Sequence, residues 1–189
     1  RVLFRSKLSE AMMKMMWRFT WFGDKSAASV TGGGQITDGV NIELFKTCDG
    51  FFKRLFAICT NNAEQHTEIA ANAEESYALQ KSKMKETGIA TSIFDAMLQD
   101  ADSRIFQKDG CAIFATKSMC DALTHDMKEK YKVIMPWEVV FDGVEVSKYD
   151  GTTIVKCSIW DRFIQAYQNN KTKLNLPHRA VLCSPENLM

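Results

Sequence analysis

Apolar positions recur along this chain with two different periods, and the changes between them mark out its elements. From Lys7 to Met16 the pattern suits a short helix, after which Trp17, Phe19 and Trp21 alternate with Arg18 and Thr20 as they would along a strand. Ser26 to Gly39 is small and glycine-rich, including Gly32-Gly33-Gly34, and reads as a loop. Asp38 or Asn41 can then cap one helix whose apolar side is Ile42, Phe45, Phe52, Leu55, Phe56 and Cys59, with Gly50 weakening its middle. Residues 61 to 86 are polar and alanine-rich, without enough periodicity to predict an element.

The pattern sharpens beyond that point. Ala90, Phe94, Leu98, Ala101 and Ile105 recur at helical spacing beside Ile89, Ile93 and Met97, with Ser92 and Asp95 placed as a capping box, so a core helix is expected from Ser92 to Ile105. A strand, Cys111 to Ala115, leads to a helix opened by Ser118 and Asp121 and bearing Met119, Leu123, Met127 and Tyr131. Trp137 to Phe141, Asp142-Gly143 and Val144 to Val146 spell a hairpin, because Asp-Gly supplies the positive φ angles of a tight turn. Thr152 to Cys157 predicts a strand. Ser158 then starts a helix with Ile159, Trp160, Phe163, Ile164 and Tyr167 on its apolar face, and Arg179 to Cys183 a last strand. The order predicts an α+β class without repeats.

Composition adds mainly exclusions. The chain is 46% hydrophobic and 25% charged, within the globular range. Its 24 Lys+Arg against 23 Asp+Glu leave a net charge of +1, so no global field draws it to nucleic acid or to an anionic membrane. No run is apolar for long enough to span a bilayer, and the methionine-rich stretch from Ala11 to Phe22, broken by Lys14 and Arg18, makes a poor signal peptide. Cysteines at 48, 59, 111, 120, 157 and 183 form no CxxC pair and read as reduced core thiols, which implies synthesis in a reducing cytoplasm. The start at Arg1 and the stop directly after a turn signal read as a fragment or processed product.

Candidate chemistry is thin. The triple glycine is followed by Gln35-Ile36, without the lysine and hydroxyl of a phosphate-binding loop. His66, His125 and His178 lie apart, with no metal-ligand spacing. Cys183 with His178 is the one nearby thiol–imidazole pair, and no G-x-S-x-G elbow is present. Lys81, Lys83 and Lys85 alternate with Ser82 and Met84 as a solvated face. The residues thus predict no catalytic group, no cofactor and no metal.

Several segments instead resemble one family in its own order. Leu176-Pro-His-Arg-Ala-Val-Leu-Cys-Ser-Pro-Glu-Asn-Leu188 is similar to a segment of major capsid proteins from tailed phages and prophages of Bacteroides-type bacteria. So are Phe141-Asp-Gly-Val-Glu-Val146, Ile159-Trp-Asp-Arg162, Phe114-Ala-Thr-Lys-Ser-Met-Cys-Asp121, Trp21-Phe-Gly-Asp24 and Asp49-Gly-Phe-Phe-Lys53. The resemblance implies a Hong Kong 97-type capsid fold: an N-terminal arm and extended loop over residues 1–40, a peripheral-domain region with a long spine helix over 41–109, and an axial-domain region over 110–189. It implies a non-enzymatic subunit whose partners are copies of itself in hexamers and pentamers, a scaffold and a portal protein. Such a shell encloses double-stranded DNA without reading its sequence, touches no membrane, and is assembled in the bacterial host cytoplasm to become the virion capsid. Trp17, Phe19, Trp21 and Phe22, on an arm hinged by Ser26 to Gly39, are the expected subunit-interface residues, packing on a neighbour rather than on their own core. The alternatives are an encapsulin-like compartment shell and a cysteine hydrolase built on Cys183 and His178.

Overall fold

Trp21 and Phe22 lie inside their own unit, with Trp21 edge-on to Phe51 at 5.2 Å between ring centroids and Phe22 against Phe52 at 5.1 Å. A computed structural model describes residues 2–141 and 143–188, and the chain divides into two units, Arg1–Thr67 and Glu68–Met189. In the first, α1 (Val2–Phe22) runs unbroken through the tryptophans, so the strand expected there is a helix. The reason is a longer-range period: Leu8, Met12, Met15, Phe19 and Phe22 are spaced alternately four and three residues apart, which overrides a five-residue alternation. Of the expected interface residues, Trp21 and Phe22 are therefore buried within the unit, and Trp17 and Phe19 are half-buried.

The single helix expected after Asn41 divides in two. Asn41 Oδ1 accepts from Glu43 N at 3.0 Å and opens a short 3-10 turn, Ile42–Leu44, while α2 (Phe51–Asn61) begins only after Gly50. A β-carbon on Gly50 would lie 2.8 Å from the backbone nitrogen of Gly23 and 2.9 Å from the carbonyl oxygens of Phe19 and Thr20. The glycine thus lets the start of α2 press on the end of α1. Lys53 fastens the same corner, its Nζ 2.6 Å from Asp24 and 2.8 Å from Asp49.

The second unit is built on a five-stranded sheet. Its strands are β1 (Ala112–Thr116), β2 (Glu138–Phe141), β3 (Val144–Tyr149), β4 (Thr152–Cys157) and β5 (Ala180–Cys183), in the order β2-β3-β4-β1-β5. β1 runs parallel to β4, and the other neighbours are antiparallel. Phe141 pairs with Val144, as a two-residue turn requires, and Gly143 takes φ 81°; Asp142 lies outside the described residues. The helices are α3 (Tyr77–Met84), α4 (Ile89–Asp100), α5 (Ser103–Phe106), α6 (Lys117–Tyr131) and α7 (Ser158–Tyr167). One core cluster joins Ile113, Ala115 and Ile154 of the sheet to Phe94 of α4, Met84 of α3, and Met119 and Leu123 of α6. The class is α+β.

The two compact units divide at Thr67–Glu68, and the core cluster of the second draws on residues from both sides of position 109/110. The expected long helix is also shorter, because α4 spans 12 residues and Asp102 accepts from Arg104 N to start α5 separately. Its cap is not Ser92 with Asp95. Asp126 of α6 accepts from Gly88 N at 2.9 Å and Thr91 N at 3.1 Å, while Ser92 donates to Ile89 O and Asp95 accepts from the Tyr149 hydroxyl. Asp121 likewise yields to Asp161 of α7, which accepts from Lys117 N at 2.6 Å and Ser118 N at 3.2 Å.

Two expectations follow. Phe94 is fully buried and Leu98 only half-buried, so Phe94→Ala should cost about 3–5 kcal/mol and Leu98→Ala about half that in a urea titration. Gly50→Ala should destabilise the first unit by about 1–3 kcal/mol, since the atoms it meets are backbone and cannot rotate away.

Candidate functional site

The irregular chain between α7 and β5 is held by a network of buried polar groups. His178 and Arg179 are both buried there. Asn72 imitates a strand neighbour for His178, donating to its carbonyl at 2.8 Å and accepting from its amide at 3.0 Å. The buried Gln80 does the same for Leu174, donating to its carbonyl at 3.0 Å and accepting from its amide at 3.2 Å. Arg179 donates to the Leu176 and Asn175 carbonyls and to Gln168 Oε1. These bonds hold Leu176 at φ 45°, a left-handed conformation that costs a leucine roughly 1–2 kcal/mol.

His178 bridges Ser118 Oγ, 2.8 Å from Nδ1, and the Gln80 carbonyl, 3.1 Å from Nε2. The carbonyl can only accept, so Nε2 carries the proton and Ser118 donates to Nδ1. That order of hydroxyl, imidazole and orienting acceptor is the connectivity of an activated serine. Its surroundings are those of a structural latch: His178 is 3% exposed, and the Lys117 and Ser118 amides that could receive an oxyanion are held by Asp161. Burial depresses the imidazole pKa, keeping the ring neutral. Both ring nitrogens are thus engaged by Ser118 and Gln80 and not by Cys183, so the thiol–imidazole pair that the cysteine hydrolase alternative needs is not formed. All six cysteines are unpaired, with Cys120, Cys157 and Cys183 buried. Among the described residues no His, Cys, Asp or Glu group could hold a metal ion, and no helix is long and apolar enough to cross a membrane.

A second buried charge lies in the sheet. Lys156 faces its cross-strand neighbour Glu145 in an ion pair, has Asp121 Oδ1 at 3.9 Å, and lies 4.3 Å from the centre of the Trp137 ring. Burial lowers its pKa against the pull of Asp121. Trp137 is fixed in turn by donating to Thr124 Oγ1 at 3.0 Å.

The features that point outward are apolar. β2 forms one edge of the sheet, and Val139 is 72%, Val140 58% and Phe141 44% exposed; Ile134, just before it, is 81% exposed. Glu138 is the single charge within this strand, and a register shift between Val139 and Phe141 bulges it. On α1, Leu8, Met12, Met13, Met15 and Met16 are all exposed. An exposed apolar edge strand leaves backbone donors and acceptors open to pairing with a further strand. The hydrophobic pattern revealed the β2 strand but could not reveal its missing neighbour. The methionines were legible as a helix and not as a bare one.

Asp161 supplies a pH test. Burial outweighs its two amide bonds and raises its carboxyl to about 6 from an ordinary 3.8. A carboxylate raised on folding stabilises most below 3.8 and loses that contribution as pH climbs through about 6. His178 works in the opposite sense, because a depressed imidazole costs stability as pH falls below 6.5. The difference in unfolding free energy between Asp161→Asn and the parent should therefore shift in favour of the variant by about 1–3 kcal/mol between pH 4 and pH 6.5, and His178→Phe should leave that shift in place.

No family model, no curated protein and no solved structure matches this chain.

Proposed function

We propose that this chain is a structural subunit that assembles with copies of itself into an icosahedral phage or prophage-derived head of Hong Kong 97-type fold enclosing double-stranded DNA. The observation that carries the reading is the set of exposed apolar side chains Ile134, Val139, Val140 and Phe141, the last three on an edge strand of the sheet, a broken apolar ribbon. The collinear capsid-like segments support it from the sequence side. In this reading the buried polar network makes each subunit rigid, and the exposed surfaces join subunits through many modest interfaces repeated by symmetry. Methionines suit α1 to such contacts, because an unbranched thioether adapts to a partner's shape. Partners are further copies, a scaffold and a portal protein. The DNA is enclosed rather than read, and assembly takes place in the bacterial host cytoplasm.

The test is electron microscopy of the full-length protein produced with its neighbouring genes. Closed particles containing DNA are expected, and persistent monomers under those conditions would reject the reading. Ile134→Lys combined with Val139→Lys should change unfolding by less than about 0.5 kcal/mol, because both side chains are already in water, and should still abolish particles. A large loss of stability in that variant would mean that the ribbon is internal structure.

A further inference from the structure

The sheet of the second unit ends in β2 on one side and β5 on the other, and we propose that these edges join: β2 of one copy pairs with β5 of a second copy, antiparallel, extending the sheet from subunit to subunit. The inference rests on the self-assembly reading above and names the partner of its β2 edge.

Three features select β5 over a second β2. The first is direction. β1 and β4 run together, β3 and β5 run against them, and β2 runs against β3. β2 and β5 therefore point in opposite senses, so copies joined edge to edge without inversion meet in an antiparallel ladder. The second is length and chemistry. Each edge strand has four residues, and Glu138 is the one charge in the two, so no like charges would be opposed. Face alternation narrows the register. Val139 pairs with Glu145, which pairs with Lys156; Ile154, two residues away on the same face, pairs with Ile113, and Ile113 with Leu182. Val139 and Leu182 thus share one face of the sheet and can stand opposite each other, which sets Glu138 against Cys183, while the bulge at Val140 ends the regular pairing there.

The third is closure. A β2-to-β2 contact pairs two copies and leaves both β5 edges open, whereas β2-to-β5 uses both edges of every copy and propagates as a ring or chain. A four-residue ladder falls well short of the roughly 1,200 Å² that stable interfaces bury. The contact is thus too small to hold an isolated dimer and gains its strength from repetition around a closed ring.

The test places the photo-reactive residue p-benzoylphenylalanine at Val139 in the full-length protein, assembled from a mixture of isotopically light and heavy subunits, and maps the cross-links by mass spectrometry. Mixed-isotope links from position 139 to residues 180–183 are expected. A reciprocal probe at Val181, linking to residues 138–141, covers the case in which the first variant does not assemble. Links from 139 to 138–141 of a second copy, or to any segment other than β5, would overturn the pairing while leaving self-assembly intact. Particles that form with neither link would do the same. Failure of the unsubstituted protein to form particles would instead overturn the assembly reading on which the pairing rests.

Discussion

Irregular chain passing through a protein interior must replace the hydrogen bonds that a helix or strand would have supplied, and the second unit is organised around meeting that requirement. Residues 68–76, with a single 3-10 turn at Ala70–Ala73, and residues 168–179 run against the core outside any α-helix or named strand, and polar side chains stand in for missing backbone neighbours. Asn72 and Gln80 each present an amide to one residue's N–H and C=O. Asp126 and Asp161 serve the first amides of α4 and α6 from other helices. Each such bond contributes little when made, yet leaving its partner buried and unsatisfied costs about 1–3 kcal/mol. The network is therefore a condition of the fold more than a source of its stability, and it uses up the groups that would otherwise look reactive.

That arrangement explains which parts of the sequence could be read. Thr152–Cys157 and the helix after Ser158 follow from local spacing, and so does the hairpin around Gly143, because neighbours in sequence determine them. The capping residues fail for the complementary reason. Ser92 with Asp95 and Ser118 with Asp121 have the right spacing, but the caps come from Asp126 and Asp161, which are distant in sequence and adjacent only once folded. Gly50 shows the same limit: its role depends on the backbone of Phe19 and Thr20 lying against it. At Trp17 to Trp21 a short alternation competed with a longer helical period and lost. The candidate surface was half legible, since composition marks β2 as a strand but exposure belongs to the whole sheet.

The order of strands also bears on how the second unit comes to exist. β1 is the first strand made, yet it lies between β4 and β5, the last two. The hairpin-linked strands β2, β3 and β4 can pair as they emerge, because their turns are short. β1 must wait until residues 152–157 have been synthesised for its parallel neighbour and until 180–183 for its antiparallel one. During that interval both edges of its Ala-Ile-Phe-Ala-Thr run lack their strand partners, and only the helices already made, α3, α4 and α6, can shelter a face. Folding of this unit is thus gated by closure of a long loop, and a ribosome that stalls after α6 would release a chain with both edges of this apolar strand unpaired.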